Sequence, residues 1–269
     1  MKKHITNRIS NIFDKFANKK FPKFIQNIIN SSYVKLLALD MREFRPANSY
    51  ETLNQLFTRE LVEDRKFDQT NNTYISPADS FVSAQGEITK NISYQIKGMS
   101  YKLDELLTID DDKLDGGRFM NFYLSPKDYH RYHSPYDFKL LKLIHITGKL
   151  YPVNFRYLNK KEDLFIQNER VVAVCETAKN QKFYMVFVGA LNVGKMVFDV
   201  EPKIETNTQA DGVFVYDYKN LQIKKGDCMG YFKMGSTILL FWQKDMIKIE
   251  NLENKKVKFT DTVARSIYV

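Results

Sequence analysis

From Tyr74 onward the chain is built of short β-branched and aromatic runs, each too brief for a self-burying helix and each closed by turn-forming residues. Lys139–Ile146, Arg170–Cys175, Phe183–Val188, Gly212–Tyr216, Thr237–Trp242 and Lys256–Phe259 read as strands. Asp110–Arg118, Asn159–Asp163 and Thr206–Asp211 read as the loops between them. The first 60 residues follow a different period. Ile5, Ile9, Ile12, Phe13 and Phe16 recur at helical spacing among Lys and Asn. Phe21, Phe24, Ile25, Ile28 and Ile29 repeat the pattern around Pro22, a residue suited to a helix start. An apolar Tyr33–Leu39 segment and a helix around Tyr50–Thr58 complete this part. The fold class expected is α+β, with a helical module over residues 1–60 and a mainly antiparallel β body over 61–269.

Composition narrows the class of protein. A chain that is 43% hydrophobic and 14% aromatic, with 11 Gly and 7 Pro, has the makings of a packed core. Cys175 and Cys228 lie far apart and form no CxxC pair, which argues against a disulfide framework or zinc ribbon and suits a reducing cytosol. The longest apolar stretch, near Met185–Leu191, is strand-sized and far short of the roughly 18 residues of a membrane span. No apolar segment of a secretory signal follows the basic N-terminus. Residues 1–45 hold ten Lys or Arg against three Asp or Glu, an excess of seven in a chain of net charge +9. A basic arm on a near-neutral body points to an anionic surface. Its amphipathic faces either pack on the body or lie in a lipid interface with Lys against the headgroups. A nucleic-acid arm would instead show Arg and exposed aromatics on a sheet or recognition helix, so no nucleic-acid partner is expected.

Three segments carry the chemistry. Ser76-Pro77-Ala78-Asp79 supplies an acid, Ser125–His133 supplies His130 and His133, and Gly235-Ser236-Thr237 supplies a serine behind a glycine. His130 and His133 are three residues apart beside Asp128, but no third or fourth ligand stands at familiar spacing, so no metal site is expected. A Ser–His–Asp hydrolase is a second reading, although Ser236 lacks a G-x-S-x-G elbow. A serine directly after glycine, before a strand and within the last 34 residues, is better suited to scission of its own backbone.

Along nearly its whole length the chain resembles the phosphatidylserine decarboxylase proenzymes of bacterial, pyruvoyl-dependent type. The likeness runs in order through Phe57-Thr58-Arg59-Glu60-Leu61, Ser76–Asp79, Lys97–Tyr101 with Leu106-Leu107, Ser125–His133, Gly148–Asn154, Leu164–Arg170, Val188–Gly194, Lys225-Gly226-Asp227 and Gly235-Ser236-Thr237. Ser80 stands where the family has glycine, and Met234 where it has leucine before the Gly-Ser-Thr.

The resemblance implies an activity and a set of roles. His133, oriented by Asp79, acts as base toward the Ser236 hydroxyl. The chain then cleaves itself between Gly235 and Ser236, leaving a large chain (1–235) and a small chain (236–269). Ser236 becomes a covalent pyruvoyl group, the Schiff-base centre at which phosphatidylserine loses CO2 to give phosphatidylethanolamine. His130 aids the decarboxylation or reprotonation step, and no external cofactor is needed. The implied partners are phosphatidylserine in an anionic membrane and the two chains of one precursor, with a homo-oligomer allowed. The implied location is the cytoplasmic face of the cell membrane, held peripherally by the N-terminal helices. The competing readings are hydrolysis or self-cleavage by the same residues without a pyruvoyl group, and an inactive membrane-binding β protein.

Overall fold

Ile238-Leu239-Leu240-Phe241-Trp242 shows no polar alternation, so as a strand it needs cover on both faces. A computed structural model of the chain, which describes residues 5–89, 92–94, 100–153, 163–191, 195–208, 211–233 and 236–267, supplies that cover. The helices are α1 (Ile5–Ala17), α2 (Lys23–Leu37), α3 (Leu53–Phe57), α4 (Leu103–Leu107) and α5 (Leu164–Gln167). The strands are β1 (Thr73–Ile75), β2 (Ser80–Glu87), β3 (Ile92–Tyr94), β4 (Ser100–Lys102), β5 (Arg118–Tyr123), β6 (Arg131–His133), β7 (Phe138–Ile146) and β8 (Arg170–Glu176). They continue with β9 (Lys182–Val188), β10 (Met196–Phe198), β11 (Val213–Ile223), β12 (Cys228–Phe232), β13 (Thr237–Trp242), β14 (Ile247–Ile249), β15 (Lys256–Val257) and β16 (Thr262–Ser266).

The main sheet runs β11-β7-β8-β9-β13-β5-β2-β15, and its pairings are antiparallel. β13 lies inside it, paired over six residues with β5 on one edge and with β9 on the other, and all six of its residues are buried. Two three-stranded sheets, β10-β12-β6 and β1-β16-β14, and the two-stranded β3-β4 complete the sheets of the described residues. The α+β class holds. β11 runs on to Ile223, past the expected Tyr216, and lies at the sheet's margin with most of its residues exposed. The expected Lys256–Phe259 strand stops at Val257, because the Phe259 N–H turns to the carboxylate of Asp79 instead of a neighbouring strand. Thr52 caps α3 by accepting from the Gln55 N–H, which sets the start of that helix at Leu53.

The two N-terminal helices are inverted relative to ordinary surface helices. Apart from Ala17 at the end of α1, their buried positions are polar: Asn7 and Ser10 in α1, Gln26 and Asn30 in α2. Asn7 reaches the Gly148 carbonyl and Asn207, and Asn30 donates to the carbonyls of Ala47 and Tyr50, both at 2.9 Å. A small apolar contact of Phe13, Ala17, Ile29, Tyr33 and Val34 with Tyr50, Leu53 and Leu56 adds to this seat. Ile5, Ile9, Ile12, Phe16, Phe24 and Ile28 point away from the body, Ile12 69% and Phe24 68% exposed. The helical period is as expected, and the structure decides which way it faces. Tyr33–Leu37 is the last turn of α2, which ends where Ala38 adopts a left-handed conformation. No helix among the described residues is long and apolar enough to cross a membrane.

Polar anchoring and apolar display should separate on mutation. Asn30→Ala strands the buried Tyr50 carbonyl and the part-buried Ala47 carbonyl and should cost about 1–3 kcal/mol, whereas the exposed Ile28→Ala should stay within about 0.5 kcal/mol. Thermal denaturation of the two variants checks the ranking.

Candidate active site

The segment that carries both histidines is held against the strand that leads to Ser236. Leu124, at the end of β5, donates its N–H to the Ser236 carbonyl at 2.8 Å, and Phe232, at the end of β12, donates to the His130 carbonyl at 3.0 Å. The chain from 124 to 130 is thus fastened at both ends to the chain from 232 to 236. Met234 and Gly235 lie outside the described residues, as do Lys97–Met99, Asn154 and Asn192–Gly194 of the other motifs. Ser236 is buried, and its hydroxyl donates to the Val188 carbonyl at the end of β9. Opposite β12, His130 lies level with Phe232, four residues before Ser236, whereas His133 pairs with Cys228, eight before it.

His133 has both ring nitrogens engaged. Nδ1 lies 2.8 Å from the Gly226 carbonyl, which can only accept, so Nδ1 carries the proton. Nε2 then accepts from the Tyr129 hydroxyl at 3.0 Å. The imidazole stacks on Phe259, with centroids 3.6 Å apart. Burial pushes its pKa down to about 4, and the positive charges of Arg131 and Arg65 act in the same direction against the Gly226 bond. Gly226 sits at φ +89°, and a Cβ there would meet the Phe67 ring at 2.5 Å. A glycine is needed to aim that carbonyl at His133.

Asp79 and His133 are neighbours without being hydrogen-bonded to one another. The Pro77 carbonyl accepts from the His133 N–H at 2.8 Å, which brings the two segments together. The Asp79 carboxylate, however, takes Arg65 at 2.5 and 2.9 Å and the Phe259 N–H at 2.8 Å. A forked guanidinium outcompetes a neutral imidazole for a carboxylate. Phe259 is therefore the link, giving its N–H to Asp79 and its ring to His133. Ser80 begins β2 opposite Val257 and lies outside the left-handed region, so serine is accommodated where the family has glycine.

His130 is fully buried against Phe57, with ring centroids 4.0 Å apart. Its Nδ1–H donates to the Asp128 carbonyl at 2.8 Å, and Nε2 has no partner among the described residues. Burial pushes its pKa down to about 3, with the charge of Arg59 adding to the effect. The arrangement presents two neutral imidazoles, one with an unused lone pair, on the segment laced to a buried serine.

Residues 53–265 match the family model for phosphatidylserine decarboxylase. The chain is 43% identical over 260 residues to the phosphatidylserine decarboxylase proenzyme of Helicobacter pylori, covering 96% of this chain and 97% of the relative. With the proenzyme of Campylobacter jejuni the identity is 41% over 262 residues, 95% of this chain and 97% of the other. With that of Francisella philomiragia it is 33% over 263 residues, 95% and 92%. The chain belongs to the phosphatidylserine decarboxylase family. It is accordingly an enzyme of the carboxy-lyase class.

For this family member, sequence reading missed Arg65, Phe259 and the Tyr129 hydroxyl as parts of the site. Arg65 stands in Glu63-Asp64-Arg65-Lys66, which reads as solvated surface, and Phe259 reads as one more apolar strand residue. Tyr129 reads in the sequence as one more aromatic of the turn, whereas in the structure it is buried and its hydroxyl also holds His133. The depressed histidine pKa values carry a sign for stability. Below about pH 6.5 the unfolded chain protonates these imidazoles and the folded chain does not, so stability falls with pH until the folded pKa is reached. Between pH 6.5 and 5 the slope should be on the order of 1 kcal/mol per pH unit for each histidine. The thermal midpoint followed against pH should flatten in His133→Gln and flatten further when His130→Asn is added.

Proposed function

We propose that this chain is a proenzyme that cuts itself between Gly235 and Ser236, converts Ser236 to a pyruvoyl group, and decarboxylates phosphatidylserine to phosphatidylethanolamine and CO2. The observation that carries this reading is the pair of backbone bonds fastening residues 124–130 to 232–236, with a buried serine at one end and a neutral histidine at the other. The relatives' names, decarboxylase and proenzyme, support the same substrate and the same processing.

In maturation, His133 takes the proton of the Ser236 hydroxyl once the Tyr129 hydroxyl releases Nε2. Asp79 acts through Phe259, which it holds against the imidazole, and through its negative charge. The Ser236 oxygen attacks the Gly235 carbonyl carbon, the amide C–N bond breaks, and the acyl group moves to oxygen. Loss of the Ser236 Cα proton expels the Gly235 carboxylate. Water then displaces ammonia from the residue left behind. Once formed, the pyruvoyl ketone supplies the electron sink for a substrate amine. The residues present fit such a group: Leu124 holds the Ser236 carbonyl, and the free Nε2 of His130 is a buried base able to hold or return a proton at the substrate's Cα.

Residues 236–269 bring β13, β14, β15 and β16, and β13 is paired on both edges. Both cysteines precede Ser236 and are free, so the chains stay together by sheet pairing without a disulfide. The outward Ile and Phe rows of α1 and α2, flanked by Lys15, Lys19, Lys20 and Lys23, form a peripheral seat on an anionic membrane at its cytoplasmic face.

Intact mass and denaturing gels test the processing. Wild-type protein should separate into 1–235 and 236–269, the small chain lighter by one ammonia than a serine-started product. Ser236→Ala should remain whole and inactive. His133→Ala should block cleavage, and Asp79→Asn should impair it less. His130→Ala should cleave yet lose about 10²–10⁴-fold in decarboxylation rate. A fully active but uncleaved wild-type chain defeats the proposal.

Liposome flotation tests the membrane seat. Replacing Ile9, Ile12 and Phe16 together by serine should release the protein from anionic vesicles and leave cleavage intact. High salt should weaken the wild-type attachment, since the Debye length is about 3 Å at 1 M.

A further inference from the structure

Arg59 is only 3% exposed, yet most of its guanidinium is unused. Nη2 donates to the carbonyls of Lys127 at 3.0 Å and Asp128 at 3.3 Å, whereas Nε and Nη1 have no partner among the described residues. The Phe44 ring, 4.4 Å from the guanidinium, offsets the buried charge only in part. A buried cation in this condition is costly unless something completes it.

Arg59 lines a polar cavity of about 370 Å³ together with Arg45 and Arg131. The carboxylates in the same wall are already engaged: Glu60 pairs with Arg131 at 2.6 Å and Glu51 with Lys20 at 2.5 Å. Neither Arg45 nor Arg59 has a carboxylate within ion-pairing distance among the described residues, so the cavity keeps a surplus of positive charge. On its inner side it adjoins the candidate active site, because the Asp128 carbonyl accepts from both Arg59 and His130. On its outer side the Ser49-Tyr50-Glu51 wall is shared with an opening bounded by Lys20 and Lys23, where α2 begins and Phe24 and Ile28 turn outward.

We propose that this cavity seats the phosphodiester of the phospholipid substrate, with Arg45 and Arg59 as its ligands. This inference rests on the decarboxylase reading above. In a serine headgroup the phosphate oxygen is joined to the carbon next to the one that loses CO2, so a phosphate site has to adjoin the reacting group, as this cavity adjoins His130. The phosphodiester is the better match than the carboxylate. An arginine clamped on the departing carboxylate would favour the ground state over the transition state, whereas the phosphate keeps its charge throughout. The headgroup then enters between the arginines while its acyl chains remain on the side of the outward-facing α2 residues.

Arg45 is exposed, its guanidinium 4.9 Å from the centroid of the Tyr50 ring, and replacement of so exposed a side chain should leave folding intact, as a thermal melt of Arg45→Gln checks. Glycerophosphoethanolamine keeps the phosphodiester and lacks the carboxylate. Its binding to the uncleaved Ser236→Ala protein, measured by calorimetry, should weaken roughly ten-fold or more when Arg45→Gln is added, and Arg45→Lys should recover part of the loss. On self-cleaved protein, Arg45→Gln should raise KM for phosphatidylserine in mixed micelles by a similar factor with kcat nearly unchanged. Inorganic phosphate separates the two sources of the anion, and it should bind more weakly than glycerophosphoethanolamine. Phosphate binding as tightly would overturn the headgroup assignment. Glycerophosphoethanolamine binding and KM both unmoved by Arg45→Gln would overturn the cavity assignment while the decarboxylase reading stands. A cleaved wild-type chain that leaves phosphatidylserine intact would overturn that reading instead, whatever the calorimetry gives.

Discussion

The buried guanidinium of Arg65 is the point on which the rest of the catalytic half depends. Its side chain is 9% exposed and holds Glu43 and Asp79 by paired N–H groups, with a further bond to the Phe259 carbonyl. Three stretches of chain, near residues 43, 79 and 259, meet on one cation. It also lies over the Tyr129 ring, 5.7 Å from its centroid, and Tyr129 in turn holds His133. A buried charge is tolerable only while its partners remain, and removing one typically costs about 3–5 kcal/mol. The bond to Arg65 keeps the Glu43 pKa down to about 2, despite partial burial, so the knot survives mild acid. Loss of Asp79 would therefore release Arg65 and Phe259 as well as subtract a charge near His133.

The N-terminal helices and the arginine cavity express one arrangement at two depths. Polar side chains of α1 and α2 face the body and satisfy carbonyls there, and apolar ones face out. Behind them, the buried Arg59 keeps Nε and Nη1 without a partner among the described residues, while neighbouring carboxylates are tied to other cations. Hydrocarbon, phosphate and headgroup amine follow one another in a phospholipid. Apolar rows, arginines and a buried histidine follow one another from the protein's outside inward.

Much of the β body was legible because its signals are local. Thr237–Trp242 is apolar on every position, and that alone calls for neighbours on both sides, which β5 and β9 provide. Asp79, His130, His133 and Ser236 stood out because the segments that carry them resemble those of the decarboxylase proenzymes, in a chain with only four histidines. What stayed hidden was relational. A helical period in Ile9, Ile12 and Phe16 is the same whether the face meets the protein or lipid, and only the burial of Asn7 and Asn30 resolves it. Arg65 could not be told from its charged neighbours, because its burial is created by residues almost 200 positions away. The Asp79–His133 relation implied by the family resemblance is not a hydrogen bond, because the Arg65 fork and the Phe259 N–H take the Asp79 carboxylate.

The place of Ser236 at the mouth of β13 gives the proposed cut a thermodynamic direction. In the uncut precursor, β13 finds its slot between β5 and β9 as part of one chain, at the high effective concentration that a covalent tether provides. Once cut, the same strand lies inside a sheet as part of a separate peptide, and its return after any escape becomes a meeting of two molecules in dilute solution. Assembly is easy once and hard thereafter. The lifetime of such an enzyme is set by how slowly the central strand leaves, a rate, more than by any reversible balance between folded and unfolded forms.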